Sequence, residues 1–321
     1  MSDKHTIGIL GGTGFVGRHL VARLAARGHA LRVLTRNAYR HRDLTVLPTL
    51  ELIQADVFAA RELREHLAGC DTVVNLVGIL NERRGRPGQR FREVHVELPQ
   101  KLMDVCHDLG VERLLHMSAL NADAARGPSL YLRTKGEGEN YVLTHSGNRV
   151  QATCFRPSVI FGPGDSFMNR FARLLRWSPG IFPLACPKAR FQPVYVGDLT
   201  DFMIETLKDE ESFGKRFDLC GPREYSLREI VRYCARVAGV RRWVLGLPDW
   251  ASRLQARLLQ HVPGTPFTLD NYLSMTVPSV CRRGLRMTTS MESVVPQYLT
   301  GRGGREAQLQ RLRETRWGTP A

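Results

Sequence analysis

The sequence predicts an α/β protein: a Rossmann-type doubly wound parallel sheet with a smaller, interleaved C-terminal domain. Three observations predict it. Apolar runs of strand length alternate with helical patterns through the first half of the chain, the signature of βαβ units around a parallel sheet. A glycine triplet, Gly11, Gly14 and Gly17, stands where the first strand gives way to the first helix. Beyond about Phe161 the alternation loosens, and proline and glycine gather in GPGD, SPGIFPLACP and CGP.

The elements follow in order. Thr6 to Leu10 reads as strand one; Val16 to Arg27 is helical, with Val16, Leu20, Val21 and Leu24 on one face and Gly28 as its stop. Leu31 to Thr35, Leu50 to Gln54, Thr72 to Val77 and Arg113 to Met117 are strands two to five, and Thr153 to Phe155 begins strand six. Arg61 to Leu67 and Leu98 to Leu109 are helices between them. Val194 to Val196, followed by a helix, looks sheet-like again. The expected division is a nucleotide-binding domain over 1–160, completed by about 191–215. A small substrate or partner domain then takes 161–190 and 216–300, and a basic, flexible tail takes 301–321.

Composition narrows the function classes. The 321 residues are 43% hydrophobic and 24% charged, enough for a packed core and against wholesale disorder. The net charge of +15 is carried by 40 arginines and only six lysines. It favours anionic partners, although high arginine also follows genome base composition. Nucleic acid is a poor reading, because no recognised motif and no aromatic–basic interleaving accompany the charge. Seven cysteines without a CxxC read as reduced, buried thiols, neither a disulfide framework nor a zinc site, so no metal is expected. No apolar run approaches the roughly 20 residues that span a bilayer, and no signal peptide precedes strand one. The expected location is cytoplasmic, peripheral at the inner face of the membrane at most.

The glycine turn carries the first chemistry. Gly11 permits the tight turn, Gly14 lets backbone N–H groups approach a pyrophosphate, and Gly17 lets the helix pack close. Gly12, Thr13, Phe15 and Val16 complete the cradle. Strand two ends in Leu34-Thr35-Arg36-Asn37, with no acidic residue for a ribose diol. Arg36 instead offers a fork for a 2′-phosphate, so NADP(H) is preferred over NAD(H). Asp56 and Val57 would border the adenine, and Leu76, Val77 and Gly78 the nicotinamide half.

The second chemistry follows strand five. Ser118 is followed thirteen residues later by Tyr131, and Lys135 shares a helix face with Tyr131 at i+4. An ammonium beside a phenol lowers its pKa. Tyr131 would exchange a proton with a substrate oxygen as a hydride moves, and Ser118 would hold that oxygen; Tyr131 and Lys135 would also contact the cofactor, Lys135 by gripping the nicotinamide ribose.

GGTGFVG, the serine after strand five, YLRTK and FRPSVIFGPGD resemble the extended and atypical branches of the short-chain dehydrogenase/reductase superfamily. NLVGILNER, SALNA, YLRTKGEGE, RPSVIFGPGDSFMNRFA, FQPVYVGDL and the CGP–Tyr225–Leu227 stretch are similar to the nucleotide-binding accessory subunit of respiratory complex I and its bacterial relatives. The resemblance runs from about Thr6 to Gly239, with a weaker echo at PFTLDNYLSM. It implies a Rossmann fold with bound NADPH, a nucleotide regarded there as structural, and a cofactor contact from Pro157, Ser158 and Val159. One departure stands out. The extended enzymes carry an Asn that supports the lysine and a water relay, in a V-N-V setting, and here Val94-His95-Val96 puts His95 in its place.

These residues leave three functions open. The first is an oxidoreductase working on a carbonyl/alcohol pair. The second is a non-enzymatic NADPH-binding structural or redox-sensing protein on a respiratory or quinone-synthesis assembly. The third is a nucleotide-sugar epimerase or dehydratase, weakened by the missing Asn. Two further features are weighed against bland readings. The arginine-rich loop Arg83 to Arg92 is slightly more in keeping with a solvated loop than with an anion clamp. The stripe Trp250, Leu254, Leu258 and Leu259 fits packing within its own domain better than a membrane surface.

Overall fold

The computed structural model describes residues 4–82, 88–147, 149–262 and 267–299. The tail from Arg302 to Arg316 and the loop's Arg83, Arg84 and Arg86 lie outside the described residues.

Six strands of the first half are β1 (Thr6–Leu10), β2 (Ala30–Thr35), β3 (Leu50–Gln54), β4 (Thr72–Asn75), β5 (Arg113–Met117) and β6 (Gln151–Pro157). Between them run α1 (Phe15–Ala26), α2 (Ala60–Leu67), α3 (Gln89–Arg92), α4 (Leu98–Leu109) and α5 (Leu130–Thr144). A π-helical turn, Glu93–Glu97, joins α3 to α4. The second half adds the short strands β7 (Ile160–Phe161), β8 (Ile181–Leu184), β9 (Arg190–Phe191) and β10 (Val194–Tyr195), then β11 (Arg216–Cys220), β12 (Tyr225–Ser226), β13 (Trp243–Gly246) and β14 (Leu285–Arg286). Its helices are α6 (Phe167–Trp177), α7 (Val196–Glu205), α8 (Leu227–Val237), α9 (Asp249–Leu259), α10 (Leu269–Ser274) and α11 (Met291–Leu299).

One eight-stranded sheet, ordered β14-β11-β6-β5-β4-β1-β2-β3, is parallel at every pairing. The strand period of two explains how it is covered. Ile7 and Ile9 of β1 join Leu20, Val21 and Leu24 of α1 and Leu199 and Met203 of α7 on one face. Leu10, Leu34 and Leu114 join Leu63, Leu102, Met103 and Val142 on the other. Both faces are buried, so the strands read as apolar runs. The strand order reverses between β2 and β4 on either side of β1, which puts a crevice at the carboxyl ends of β1 and β4.

Three placements differ from the sequence reading. β4 stops at Asn75 because its side-chain oxygen accepts the Val77 N–H at 3.1 Å, turning the chain out of the ladder. Val194–Tyr195 pairs with β7 outside the large sheet, while Arg216–Cys220 continues it beside β6. Cys220 and Cys281 form a disulfide, correcting the expectation that all the thiols are reduced. The two are 61 residues apart and meet only because β11 ends beside the 279–281 segment. The other five cysteines are free, and no group of metal-binding side chains occurs among the described residues. No helix among those residues is long and apolar enough to cross a membrane.

The smaller unit packs α6, α8 and α11 around Phe161, Leu175, Ile230, Val231 and Val295. Two-stranded pairs, β9 with β12 and β8 with β13, edge it.

Candidate functional site

The site begins at the β1–α1 turn. Gly11 has φ +78°, and a methyl on it would sit 3.0 Å from the Leu76 carbonyl carbon and 3.1 Å from Val77 N. The turn therefore lies directly against the chain leaving β4. A methyl on Gly17 would lie 2.3 Å from Gly11 O and 2.5 Å from Gly12 Cα, so only glycine lets α1 start this close. Gly14 is the N-cap and no side chain caps α1, which leaves the N–H groups of Phe15, Val16 and Gly17 as oriented donors. Thr13 is fixed at the rim, where its carbonyl accepts from Arg18 Nε at 3.1 Å.

Arg36 is exposed just past β2 and has no ion-pair partner among the described residues. Asp56 is exposed past β3, with its carboxylate accepting the Phe58 N–H at 3.0 Å; Val57 is buried beside it. The expected adenosine-side residues thus share the carboxyl edge of the sheet with the glycine turn.

On the other side of the crevice, α5 starts under two caps. Ser129 accepts the Leu132 N–H at 3.1 Å. Asp270 of α10 accepts the Leu130 N–H at 2.7 Å and the Tyr131 N–H at 3.2 Å. Lys135 is buried, and its ammonium donates to Met117 O at 2.9 Å. A methyl on Gly78 would lie 3.2 Å from Lys135 Nζ and 3.8 Å from His95 Nε2. Burial pulls the Lys135 ammonium down to about 8, with Glu139 acting in the opposite sense. The Tyr131 ring is partly buried against the edges of His95 and Phe91. Burial, then the Asp270 carboxylate, push its phenol up to about 12, opposite to the lowering that the i+4 lysine suggests.

His95 occupies the π turn. Its Nε2 accepts the Ile79 N–H at 3.1 Å, and Nδ1 meets Thr134 Oγ1 at 3.1 Å. Thr134 gives its own proton to Leu130 O, which leaves Nδ1 as the donor. Burial and the nearby Lys135 charge hold His95 neutral. It therefore ties the loop after β4 to α5.

Ser118 donates to Glu139 Oε2 at 2.5 Å rather than lying free. Glu139 is fully buried and also meets Arg156 at 2.7 Å and Arg216 at 3.0 Å. Ser158 donates to Ser279 O at 2.7 Å. Pro157 and Val159 give their carbonyls to the Leu120 and Val194 N–H groups. Pro157 ends β6 and Ser158 and Val159 follow it, at the same sheet edge as the glycine turn.

Asn75, His116, Glu139, Arg156 and Asp270 escaped sequence reasoning. Only Glu139 carried a local signal, the i+4 spacing after Lys135. His116 is buried, drawn down to about 3 by burial, with Nδ1 facing Asn75 Nδ2 at 3.3 Å.

Comparison with known proteins agrees with this geometry. The family model described as "NAD dependent epimerase/dehydratase family" matches residues 7–220. The mouse protein "NADH dehydrogenase [ubiquinone] 1 alpha subcomplex subunit 9, mitochondrial" is 33% identical over 231 residues, covering 70% of this chain and 59% of that one. A "Ceramide reductase" from Caulobacter vibrioides is 29% identical over 251 residues, covering 77% and 74%. Thermus thermophilus UDP-glucose 4-epimerase, solved with NAD, superposes with a TM-score of 0.62 at 21% identity, covering 83% and 98%. The chain thus spans about six-tenths of the mouse relative.

Proposed function

The chain belongs to the NAD dependent epimerase/dehydratase family, and from that premise we propose an NADP(H)-binding oxidoreductase-like protein that interconverts a carbonyl and an alcohol. The observation that carries the reading is the buried Lys135 ammonium, wedged between Met117 O and Gly78 and one turn from Tyr131. A strand-to-helix turn with uncapped donors faces the same crevice.

The residues present fit a dinucleotide. The Gly11–Gly17 turn would hold the pyrophosphate and Arg36 a 2′-phosphate, with Asp56 and Val57 at the adenine. Leu76, Val77, Gly78 and the Pro157–Val159 segment would flank the nicotinamide end. The nicotinamide, when bound, supplies the hydride exchange.

The chain's own groups supply the rest. Tyr131 keeps its proton at neutral pH and is the acid for a substrate oxygen. Lys135 in its ammonium form offsets the charge as that proton leaves. Ser118, its own proton committed to Glu139, offers the substrate only acceptor lone pairs. Purified protein should retain or take up NADPH in preference to NADH. Tyr131→Phe should lower turnover of a reducible carbonyl about 10²–10⁴-fold, with NADPH affinity unchanged. Unchanged turnover would remove the catalytic role, and no nucleotide uptake would remove the whole reading.

A second reading has its own support: His95 locked as a strut, and Ser118 engaged in a buried ion network. Under it NADPH is a structural or redox-sensing ligand, on a respiratory or quinone-synthesis assembly at the inner face of the membrane. The mouse relative's name favours that setting. NADPH that exchanges over hours, with no turnover of any carbonyl, would select it.

A further inference from the structure

Three of the chain's four tryptophans stand almost bare on the smaller unit: Trp177 at 82%, Trp243 at 79% and Trp250 at 71% exposure. The pairing explains why they share a region. In β8 and β13, Ile181 lies opposite Trp243 and Pro183 opposite Leu245. These four side chains share one face of the two-stranded ribbon and all are exposed, whereas Val244 and Leu184 face the core. Trp177 ends α6 just before β8. Helix α9 abuts the ribbon where Gln255 Nε2 reaches Pro183 O at 3.4 Å. Its Ser252 and Ala256 face inward, which turns Trp250, Leu254 and Leu258 outward at four-residue steps. The expectation that this stripe packs within its own domain is thereby corrected.

Beside Trp243 lies a shallow concavity of about 620 Å³, lined by Arg232, Arg236, Arg241 and Arg242. Arg242 is held by Ser178 O at 2.5 Å. None of the four has a carboxylate partner among the described residues. Arg253 and Arg257 are exposed on α9 between its apolar residues.

We infer that this face binds the surface of an anionic phospholipid bilayer, with tryptophan and leucine side chains at the acyl boundary and a lipid phosphate in the arginine concavity. Bare indoles interleaved with guanidiniums suit the headgroup level of a membrane. A second copy of the chain would bring the arginine clusters into mutual repulsion across a two-fold axis. The surface lies outside the nucleotide crevice and stands independently of that reading, while giving the peripheral attachment a specific site.

Co-sedimentation of the full chain with phosphatidylcholine vesicles, with and without phosphatidylglycerol, tests it. Binding should be at least about tenfold stronger to the anionic vesicles at low salt and should fall as salt rises. Tryptophan emission should shift to the blue. Trp243→Ser with Trp250→Ser should lower binding about tenfold or more and remove most of the blue shift. Arg232→Gln, Arg236→Gln and Arg241→Gln together should erase the preference for anionic vesicles. All five positions are exposed or at the rim, and unchanged thermal unfolding of the variants serves as the folding control. Equal binding to both vesicles, or binding untouched by either set of variants, overturns the inference. So does absence of vesicle binding with inorganic phosphate still bound, or with a dimer that the tryptophan variants dissolve.

Discussion

The hydroxyl of Ser118, at the end of β5, donates to the carboxylate of Glu139, one helical turn beyond Lys135. Arg156 and Arg216 close on the same carboxylate. A fully buried acid is thus neutralised by two guanidiniums and a hydroxyl beneath the crevice. Glu139→Ala would leave Arg156, only 16% exposed, with the more distant Asp218 at 3.9 Å as its remaining carboxylate, at an expected cost of about 3 kcal/mol. The exposed pair Arg64–Asp108 is the control: Asp108→Ala should cost about 1 kcal/mol or less. Urea unfolding of both variants makes the comparison, and equal losses would refute a structural role for the network.

The contact between α5 and the π turn makes a second prediction. A methyl on Gly138 would fall 1.8 Å from His95 O, a backbone atom. Gly138→Ala must therefore push α5 away from the turn and disturb the Lys135 position. The expected loss is about 3 kcal/mol or more, together with weaker nucleotide binding. Gly69→Ala meets no atom within 4 Å and carries only the strain of φ +73°, roughly 1–2 kcal/mol, with nucleotide binding intact.

The extent to which this site was legible follows from sequence distance. The β1–α1 turn was readable because its strand, its glycines and its helix are contiguous. Tyr131 and Lys135 were readable because a helix fixes i and i+4. Asp270 caps α5 from 140 residues away in the chain, and Arg216 reaches Glu139 from β11. No local pattern encodes either contact. The direction of the Tyr131 shift was misread for the same reason: the spacing reveals Lys135, but not the burial or the Asp270 carboxylate that prevail. The eighth-strand order was equally hidden, since β14 is two residues long.

Arg36 bears on cofactor choice. It is exposed past β2 with no protein partner among the described residues, so its replacement should leave the fold untouched. Arg36→Ala should weaken NADPH binding about 10–100-fold, the worth of one charge-assisted hydrogen-bonded contact, and leave NADH binding within about twofold by the same reasoning. Titration by nucleotide fluorescence reads both. A parallel loss for NADH would assign Arg36 to another part of the dinucleotide.

Acid stability should report two of the buried histidines, His95 and His116. Burial lowers His95 well below 6.5 and His116 to about 3. Below about pH 6.5 the unfolded chain takes up protons that the folded chain refuses, so the stability from these sites is full above 6.5 and lost as pH falls toward the folded values. Asp165, Asp218 and Asp270, raised chiefly by burial, act oppositely and offset part of this loss as pH falls. Urea midpoints should therefore drop from pH 7 to pH 5. His95→Asn should flatten that slope by about one proton; an unchanged slope would mean that His95 is charged or exposed in the fold.

The disulfide gives the last prediction and bears on location. Cys220 ends β11, and Cys281 is held beside it by the Gln192 side chain, which accepts the Cys281 N–H and donates to Gly221 O. A thiol titration of the denatured, unreduced chain should count five free thiols, and seven after reduction. Closing a 61-residue span should be worth about 2–4 kcal/mol, so Cys281→Ser or reductant should lower the urea midpoint. Seven thiols without reductant, and no effect of Cys281→Ser, would restore the reading of a fully reduced chain. Five thiols in protein taken directly from a reducing compartment would show that the bond resists the glutathione pool, because a strained or exposed bond would be reduced there.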